Sequence, residues 1–278
     1  MSKPVIPPLS PEDLSRFCEF LYSRTGILYG ENKRFYIERR LAERMTKVGA
    51  NGFSAYFAIL RGGNSEAEQL INSFTVNETY FYREIHQLSC LSRSLLPEIV
   101  RHRGPGDLIR IWSVPCATGE EPYSIAIWLL ENWRLVDAYN IEIVGSDVDT
   151  RVLAEASTGN YGDRAISRLP HGLVKQYFEQ VDGSQRIIKD LRESVKFTQV
   201  NLVDAASTAR QGLFDVIFCR NVLNYFDDAS RLAASHNLYE SLNRGGFICL
   251  GHSESMARIS DRFEVRRFED AIVYQRPE

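Results

Sequence analysis

The chain has 278 residues, of which 44% are hydrophobic and 25% are charged, a composition typical of globular proteins and not of disordered or fibrous ones. Its formal net charge of −3 argues against a protein built to coat nucleic acid. The five cysteines are widely scattered, with no CxxC pair and no metal-like spacing. We therefore expect reduced thiols and no metal site.

The N-terminal segment, MSKPVIPPLSPEDL, is rich in proline and lacks the apolar core of a signal peptide. No apolar stretch of the sequence approaches the roughly 18 residues that are needed to span a bilayer. We therefore expect a cytoplasmic protein that reaches a membrane only through a partner. Nothing in the sequence demands an assembly larger than a monomer.

Residues 9 to about 75 are predicted to be helical. Ser10 is a helix N-cap, followed by a proline at the first helical position and by two acids in the first turn. The stretch Lys33–Val48 and the residues after it carry apolar side chains at helical spacing. These side chains are Ile37, Leu41, Met45, Val48, Phe53, Tyr56, Phe57 and Leu60. The pattern indicates a helical N-terminal domain over residues 1–76, then a linker and the start of the second domain over residues 77–107.

From residue 108 to residue 278, short apolar runs alternate with helical segments. The predicted strands are Ile109–Val114, Ile141–Ser146, Val195–Val200, Phe214–Cys219, Phe247–Leu250, Phe263–Phe268 and Ala271–Tyr274. The predicted helices are Glu121–Asn132, Thr150–Ser157 and Asp228–Asn243. The alternation predicts an α/β fold with a doubly wound, mostly parallel sheet of seven strands. Only Glu269 and Asp270 separate the last two strands, so we expect an antiparallel C-terminal hairpin. This architecture resembles that of S-adenosylmethionine-dependent methyltransferases.

A polar segment interrupts the alternation at about residues 159–194. It contains a short helical pattern over Leu173–Phe178 and a turn at Asp182-Gly183 that is flanked by extended residues. The spacing predicts a small β-rich insertion on the main sheet. The alternative is a long surface loop.

Ligands of open parallel sheets bind at the carboxyl ends of the strands, and the first of these ends is followed by a tight turn with one glycine. The GxGxxG pattern is absent, and Glu120 and Glu121 at the turn would repel a phosphate, so a pyrophosphate cradle is not expected. The two acids suit a ligand with hydroxyls and positive charge. Alternatively, they only complement the dipole of the helix that begins there.

Acidic and polar residues also follow the next strands. Asp147 directly follows the second strand and is well placed to accept hydrogen bonds from both hydroxyls of an adenosine ribose. Asp149 fits better as the N-cap of the helix that begins at Thr150. After the fourth strand, Asn221 is either a site residue or a simple turn residue.

Five segments of the chain resemble the signatures of the CheR chemotaxis receptor methyltransferases, and they occur in the family's order. They are Asn77–Glu84, Thr118–Ser124, Ser146–Asp149, Phe218–Asn221 and Gly251–Ser255. The resemblance covers nearly the whole chain, including the helical N-terminal domain and the insertion. It implies an enzyme that transfers methyl groups from S-adenosylmethionine to glutamate side chains of receptor cytoplasmic helices, with S-adenosylhomocysteine as product and no metal.

The resemblance also implies roles for individual residues. The implied cofactor contacts are Asn77, Thr79, Arg83, Glu121, Asp147, Asn201, Leu202, Arg220 and Asn221. Glu120 competes with Glu121 for its role. Arg83 and Tyr225 are the implied catalytic residues: Arg83 would hold the substrate carboxylate, and Tyr225 would face the methyl group in transfer. Spacing alone favours blander roles, namely a surface ion pair of Arg83 with Glu78 or Glu84, and core packing of Tyr225.

Two further features concern the partner, which the resemblance identifies as the cytoplasmic helical domain of chemoreceptors. Lys33, Arg40, Arg44 and Lys47 fall on one side of a predicted helix and form either a docking face or an ordinary solvated face. In some family members a glycine-bearing loop of the insertion binds a peptide at the receptor's C-terminus. The matching region, residues 179–184, is short and has one glycine, so we expect weak or absent peptide binding.

Two other functions compete with receptor methylation. A nucleic-acid amino-methyltransferase of the same fold generally carries an Asn/Asp-Pro-Pro-aromatic motif after the fourth strand, whereas this chain has Asn221-Val222-Leu223-Asn224-Tyr225 without prolines. A non-catalytic adaptor that binds S-adenosylmethionine would not need Arg83 and Tyr225. We therefore expect an enzyme that acts on protein and not on nucleic acid.

Overall fold

A computed structural model describes residues 9–278, and the proline-rich segment that ends at residue 8 lies outside the described range. The described chain begins with four helices, α1 (Pro11–Thr25), α2 (Arg34–Val48), α3 (Phe53–Gly62) and α4 (Asn64–Phe74). Ser10 caps α1 as predicted, since its hydroxyl accepts a 3.1 Å hydrogen bond from the Asp13 amide. The helices pack around a core of their own that includes Phe17, Tyr56 and Phe74. The predicted helical N-terminal bundle is confirmed.

Arg44 on α2 lies inside this bundle. Its guanidinium donates to both carboxylate oxygens of Glu66 on α4, at 3.0 and 2.5 Å, and the Tyr56 hydroxyl donates to the same carboxylate at 2.7 Å. The Arg44 and Glu66 side chains are only 12% and 11% exposed. The expectation that Arg44 belongs to an open basic face is therefore wrong, because α3 and α4 cover it. Lys33 and Lys47 are exposed.

The segment predicted as a linker and the start of the second domain is largely helical. It contains α5 (Ile85–Cys90) and α6 (Leu96–Ile99), joined by a π-helical turn over Leu91–Leu95. Pro97 lies where the π-helical turn passes into α6, and the residues before it, Leu95 and Leu96, keep right-handed helical backbone angles. The apolar side chains of the segment belong to the core of the second domain. Residues 85–99 are thus part of that domain's packing.

The remaining strands and helices follow in the predicted alternation. The strands are β1 (Leu108–Ser113), β2 (Asn140–Asp147), β3 (Asn160–Tyr161), β4 (Phe178–Val181), β5 (Ser184–Ile187), β6 (Val195–Gln199), β7 (Phe214–Cys219), β8 (Leu242–Leu250), β9 (Glu264–Arg267) and β10 (Ile272–Gln275). The helices are α7 (Glu120–Asn132), α8 (Thr150–Thr158), α9 (Asp163–Ile166), α10 (His171–Tyr177), α11 (Lys189–Ser194), α12 (Ala205–Ala209) and α13 (Asp228–Glu240). Within residues 9–278, no helix is both long and apolar enough to cross a membrane.

Seven of these strands form one sheet in the order β6-β2-β1-β7-β8-β10-β9. Strands β6, β2, β1, β7 and β8 are parallel, and β10 pairs antiparallel with both β8 and β9. Successive residues of the central strands enter different cores: Ile111 and Phe218 lie in one, and Trp112 and Ile217 in the other. The sheet is therefore buried on both faces, as a parallel sheet requires. The predicted doubly wound sheet with a C-terminal hairpin is confirmed.

Strand β8 begins five residues before its predicted start at Phe247, and α13 ends before its predicted end. The sequence Asn243-Arg244-Gly245-Gly246 indicates a turn, but in the structure it continues the strand across an irregularity opposite Phe214 and Val216. Gly245 adopts a positive φ of 74°. A Cβ atom on Gly246 would lie 2.9 Å from the Asn243 carbonyl oxygen. The glycines therefore serve a bulge within the strand and not a loop.

The insertion forms a separate three-stranded antiparallel sheet in the order β3-β5-β4. Its short helix, α10, and its turn at Asp182-Gly183 lie close to where they were predicted. Both turn residues have positive φ, 48° and 78°, the geometry of a two-residue hairpin turn. The predicted β-rich insertion is confirmed, and the alternative of a long surface loop is wrong.

Candidate active site

A pocket of about 840 Å³, measured to its open mouth, lies at the carboxyl ends of β1, β2 and β7. Three parts of the chain form its wall. The N-terminal domain contributes Ile27, Tyr29 and Phe74, the segment over residues 75–83 contributes a second part, and the loops after the three strands form the remainder. The location is the one expected for a ligand of an open parallel sheet.

Most of the residues singled out from the sequence line this pocket. They are Asn77, Thr79, Arg83, Glu121, Asp147, Arg220, Asn221 and Tyr225. Asn201 and Leu202 are not among the lining residues. The Asn201 amide donates to the Arg24 carbonyl at the end of α1, at 2.9 Å, and Leu202 is buried in the core beside the sheet. The structure thus brings all but these two residues together.

Glu121 and Arg220 form a buried ion pair at the base of the pocket, with side chains 11% and 4% exposed. The Glu121 carboxylate accepts hydrogen bonds from the Arg220 guanidinium and, at 2.8 Å, from the Ser113 hydroxyl. Arg220 also donates to the Arg83 carbonyl at 2.9 Å, which ties the segment over residues 75–83 to the end of β7. Glu120 points elsewhere and accepts a hydrogen bond from a threonine hydroxyl of the turn. Of the two neighbouring acids, only Glu121 lines the pocket.

Asp147 at the end of β2 is only 3% exposed yet lines the pocket. Its carboxylate accepts hydrogen bonds from the backbone amides of Ala117 and Asp149, each at 3.0 Å. Burial raises the pKa of the Asp147 carboxyl to about 6, although these amides act in the opposite direction. The carboxylate is therefore held rigidly in a desolvated position where an added hydroxyl donor would stabilise its charge.

Asp149 caps α8 as predicted, because its carboxylate accepts hydrogen bonds from the amides of Arg151 and Val152. It also accepts hydrogen bonds from the Thr75 hydroxyl, at 2.5 Å, and from the Asn77 side-chain amide, at 3.0 Å. The Asn77 side chain is thus engaged with Asp149 as well as lining the pocket. Sequence reasoning missed this link, for which the only signal was a second acid two residues after Asp147.

The blander roles for Arg83 and Tyr225 are wrong. Within residues 9–278, Arg83 has no carboxylate within ion-pair distance; it donates to the backbone carbonyl of Glu78 at 2.8 Å. The Glu78 carboxylate pairs with Arg164, and the Glu84 carboxylate lies against Arg220. Tyr225 is 50% exposed, so it does not belong to the core. Both side chains are available at the pocket.

Comparison with known protein families shows to which family the chain belongs. Residues 77–272 match the SAM-binding domain of the CheR methyltransferases, and residues 12–75 match the all-alpha domain of the same family. The chain belongs to the CheR methyltransferase family. The resemblance found in the sequence is confirmed, and the protein is an S-adenosylmethionine-dependent methyltransferase.

Individual relatives are similar over almost their full length. Chemotaxis protein methyltransferase 2 of Vibrio cholerae is 47% identical over 97% of this chain and 94% of the relative. Chemotaxis protein methyltransferase 2 of Pseudomonas aeruginosa is 36% identical over 90% of this chain and 88% of the relative. The chemotaxis protein methyltransferase of Vibrio parahaemolyticus is 32% identical, with 96% and 98% of the two chains covered.

The chemistry of the pocket fits the S-adenosylmethionine of this CheR family. Asp147 offers a buried carboxylate for hydroxyl donors, and the Glu121–Arg220 pair offers both signs of charge for an amino acid end. The Tyr225 ring at the mouth offers a π-face that attracts a cation. Among the described residues, no group of His, Cys, Asp and Glu side chains is arranged to hold a metal ion.

Proposed function

We propose that this protein methylates glutamate side-chain carboxylates in the cytoplasmic helical domain of chemotaxis receptors, and that it works in the cytoplasm as a monomer. The names of its relatives support a role in chemotaxis. The observation that supports a carboxylate as the methyl acceptor is that, in the part of the chain that the structure describes, only one of the two pocket arginines is already paired with an acid. Arg220 is paired with Glu121, whereas Arg83 has no carboxylate partner among the described residues.

The reaction places modest demands on the protein. A glutamate side chain with an ordinary pKa near 4.3 is already a carboxylate at neutral pH, so it can attack without a general base. S-adenosylmethionine, when bound, supplies a methyl group on a positively charged sulfur that is a good leaving group. What remains for the chain is to bind both reactants, to align them and to exclude water.

We assign these tasks to the pocket residues. Arg83 orients the substrate carboxylate, since its planar guanidinium can donate two parallel hydrogen bonds to two carboxylate oxygens. Tyr225, half-exposed at the mouth, flanks the position where the methyl group is transferred. Asp147 and Glu121 hold the polar ends of the methyl donor. The segment over residues 75–83 closes the pocket from the N-terminal side.

We further propose a division of labour among residues 1–76, 77–107 and 108–278. The first, helical part docks the receptor, the second closes the pocket and completes the core beside it, and the third binds the methyl donor. Cations of α2 and of the turn before it can face an acidic helix. They include the exposed Lys33 and Lys47 and the half-buried Arg40, whose guanidinium lies 5.1 Å from the Tyr36 ring centroid.

The experiment that tests this function is transfer of radiolabelled methyl from S-adenosylmethionine to membranes that carry chemoreceptors. Carboxyl methyl esters are hydrolysed by alkali, whereas methylated amines are not. The proposal predicts label on receptor protein that is released by alkali. Alkali-stable label, or label on nucleic acid, would refute the carboxylate acceptor.

A further inference from the structure

Glu254 lies in the loop after β8 and accepts hydrogen bonds from three backbone amides. One of its carboxylate oxygens accepts from Asn221, at 2.7 Å, and from Gly251, at 3.0 Å. The other oxygen accepts from Leu223, at 2.8 Å. Hydrogen bonds from amides to a carboxylate are stronger than those between neutral groups. The single side chain of Glu254 thus ties the loop after β8 to the loop after β7.

The loop that Glu254 holds is a wall of the active-site pocket. Asn221, Val222 and Tyr225 line the pocket, whereas Glu254 itself does not. Asn221 has a φ of 61°, in the left-handed region where residues other than glycine are uncommon and are retained only if the surroundings fix them. The amide of Asn221 is one of those bound by Glu254. Glu254 therefore binds the amide of the very residue that has the left-handed backbone.

The loop after β8 packs closely against the loop after β7. A Cβ atom on Gly251 would lie 2.7 Å from the Asn221 side-chain nitrogen and 2.9 Å from the Glu254 carboxylate. Asn224 donates a hydrogen bond to the Ser253 hydroxyl at 3.0 Å, a second link between the two loops. The close approach requires glycine at position 251, and it keeps the two loops near enough for Glu254 to bind amides of both.

We propose that Glu254 is a positioning residue for methyl transfer, which sets the Asn221–Tyr225 loop so that Asn221 and Tyr225 face the pocket. The proposal deepens the function proposed above and rests on it. Glu254 acts through the backbone of the loop and does not contact the reactants. Loss of the carboxylate leaves the Leu223 or Asn221 amide without its acceptor and releases the left-handed residue.

The test compares Glu254→Gln with Glu264→Gln, a matched change at an exposed acid on β9 that lies outside both loops. Glutamine keeps the size of the side chain, but its NH₂ group cannot accept from an amide. We expect Glu254→Gln to speed hydrogen exchange at whichever of the Asn221 and Leu223 amides loses its acceptor, and to weaken S-adenosylhomocysteine binding in calorimetry by roughly tenfold. Turnover should fall as well, and Glu264→Gln should match the wild type in all three.

A merely structural role would lower the melting temperature while the folded fraction keeps wild-type affinity and turnover, and that result would overturn the proposal. If Glu254→Gln does not fold, Gly251→Ala provides the second test. It keeps the glutamate but its Cβ would press against both the Asn221 side chain and the Glu254 carboxylate, and the proposal predicts weaker product binding in this variant also. Unchanged affinity there would overturn it. The affinity readout needs no receptor, so failure of receptor methylation by the wild type remains a separate result.

Discussion

Arg83 is the residue whose side chain most directly distinguishes a carboxylate acceptor from other acceptors. It lines the pocket and donates only to a backbone carbonyl among the described residues, so its guanidinium can bind a substrate. We expect Arg83→Ala to lower kcat/KM by roughly 100-fold while S-adenosylhomocysteine still binds measurably, because one bidentate contact to the carboxylate is lost. Lysine should restore little of the activity, since it lacks the planar fork.

The matched control for Arg83 is Arg164→Ala, which removes an exposed arginine that pairs with Glu78 nearby. This change should leave kcat/KM within a factor of two or so, as expected for an exposed ion pair. Turnover of Arg83→Ala at the wild-type level would remove Arg83 from the catalytic residues.

Asp147 should make ligand binding in the pocket depend on pH. Its carboxyl pKa is raised by burial to about 6, so the fraction ionised falls as the pH drops through that value. We expect affinity for S-adenosylhomocysteine to decrease between about pH 7 and pH 5, by at most tenfold per unit, because a protonated carboxyl is a poorer acceptor for hydroxyls. Calorimetry across this range measures the effect, and a flat profile would contradict it. Asp147→Asn should bind weakly with no such slope.

The same shift has a consequence for stability whose sign is opposite to that of a salt-bridged acid. The folded-state pKa of Asp147 lies above the value near 3.9 of an unfolded chain, so the folded protein favours the protonated form. Its stabilising contribution is present below about pH 4 and is lost as the pH rises to about 6, by about 3 kcal/mol in total. The pocket therefore holds a group that is unfavourable to folding at neutral pH.

The position of Asp147 and the cap at Asp149 could be predicted from the sequence, because each depends on a strand end or a helix start nearby in the chain. The partners of Arg44, Asn77 and Asn201 could not. Each of these side chains is engaged by a residue at least 22 positions away, and local spacing carries no information about such contacts.

At the scale of elements, α2 and α4 are joined by the Arg44–Glu66 pair, with the Tyr56 hydroxyl on the same carboxylate. Removal of one partner leaves the other partly buried and unpaired. We expect Arg44→Ala to lower the free energy of unfolding by about 3 kcal/mol. Lys47→Ala, an exposed change on the same helix, should alter it by less than about 0.5 kcal/mol.

Denaturant unfolding of the two variants measures this difference. If both variants lower the free energy of unfolding by the same small amount, Arg44 belongs to the exposed basic face. A stable Arg44→Ala variant that bound the receptor weakly would have the same meaning.

For the insertion, the sequence predicts weak or absent binding of a receptor C-terminal peptide. Strands β4 and β5 pair up to Val181 and Ser184, so only the turn Asp182-Gly183 remains between them. A two-residue turn offers few free backbone groups for a peptide. We expect a receptor C-terminal peptide to bind no more tightly than a scrambled control in calorimetry, and submicromolar affinity would contradict this.

The elements with a strong local period were predicted within a few residues, as β7 and α8 show. The error at the start of β8 arose because Gly245-Gly246 serves a bulge in the strand and not a turn. Tertiary packing, which the sequence does not display, selects between these two structures.

At the scale of the whole molecule, the N-terminal helices and the sheet meet beside the pocket. The Tyr22 hydroxyl donates to the carboxylate of Asp227, the N-cap of α13, at 3.1 Å. Asn72 on α4 donates to the hydroxyl of Thr150, the first residue of α8, at 3.0 Å. Since Tyr29 and Phe74 also line the pocket, the helical domain contributes to the site.

The measurement that tests the central claim most directly is peptide mass spectrometry of a purified chemoreceptor cytoplasmic fragment after incubation with this protein and S-adenosylmethionine. The account predicts the added mass of one methylene group on glutamate residues, and no addition where those residues are changed to alanine. An unmodified fragment, from a protein preparation that binds S-adenosylhomocysteine in calorimetry, would contradict the assignment of chemoreceptor glutamates as the substrate.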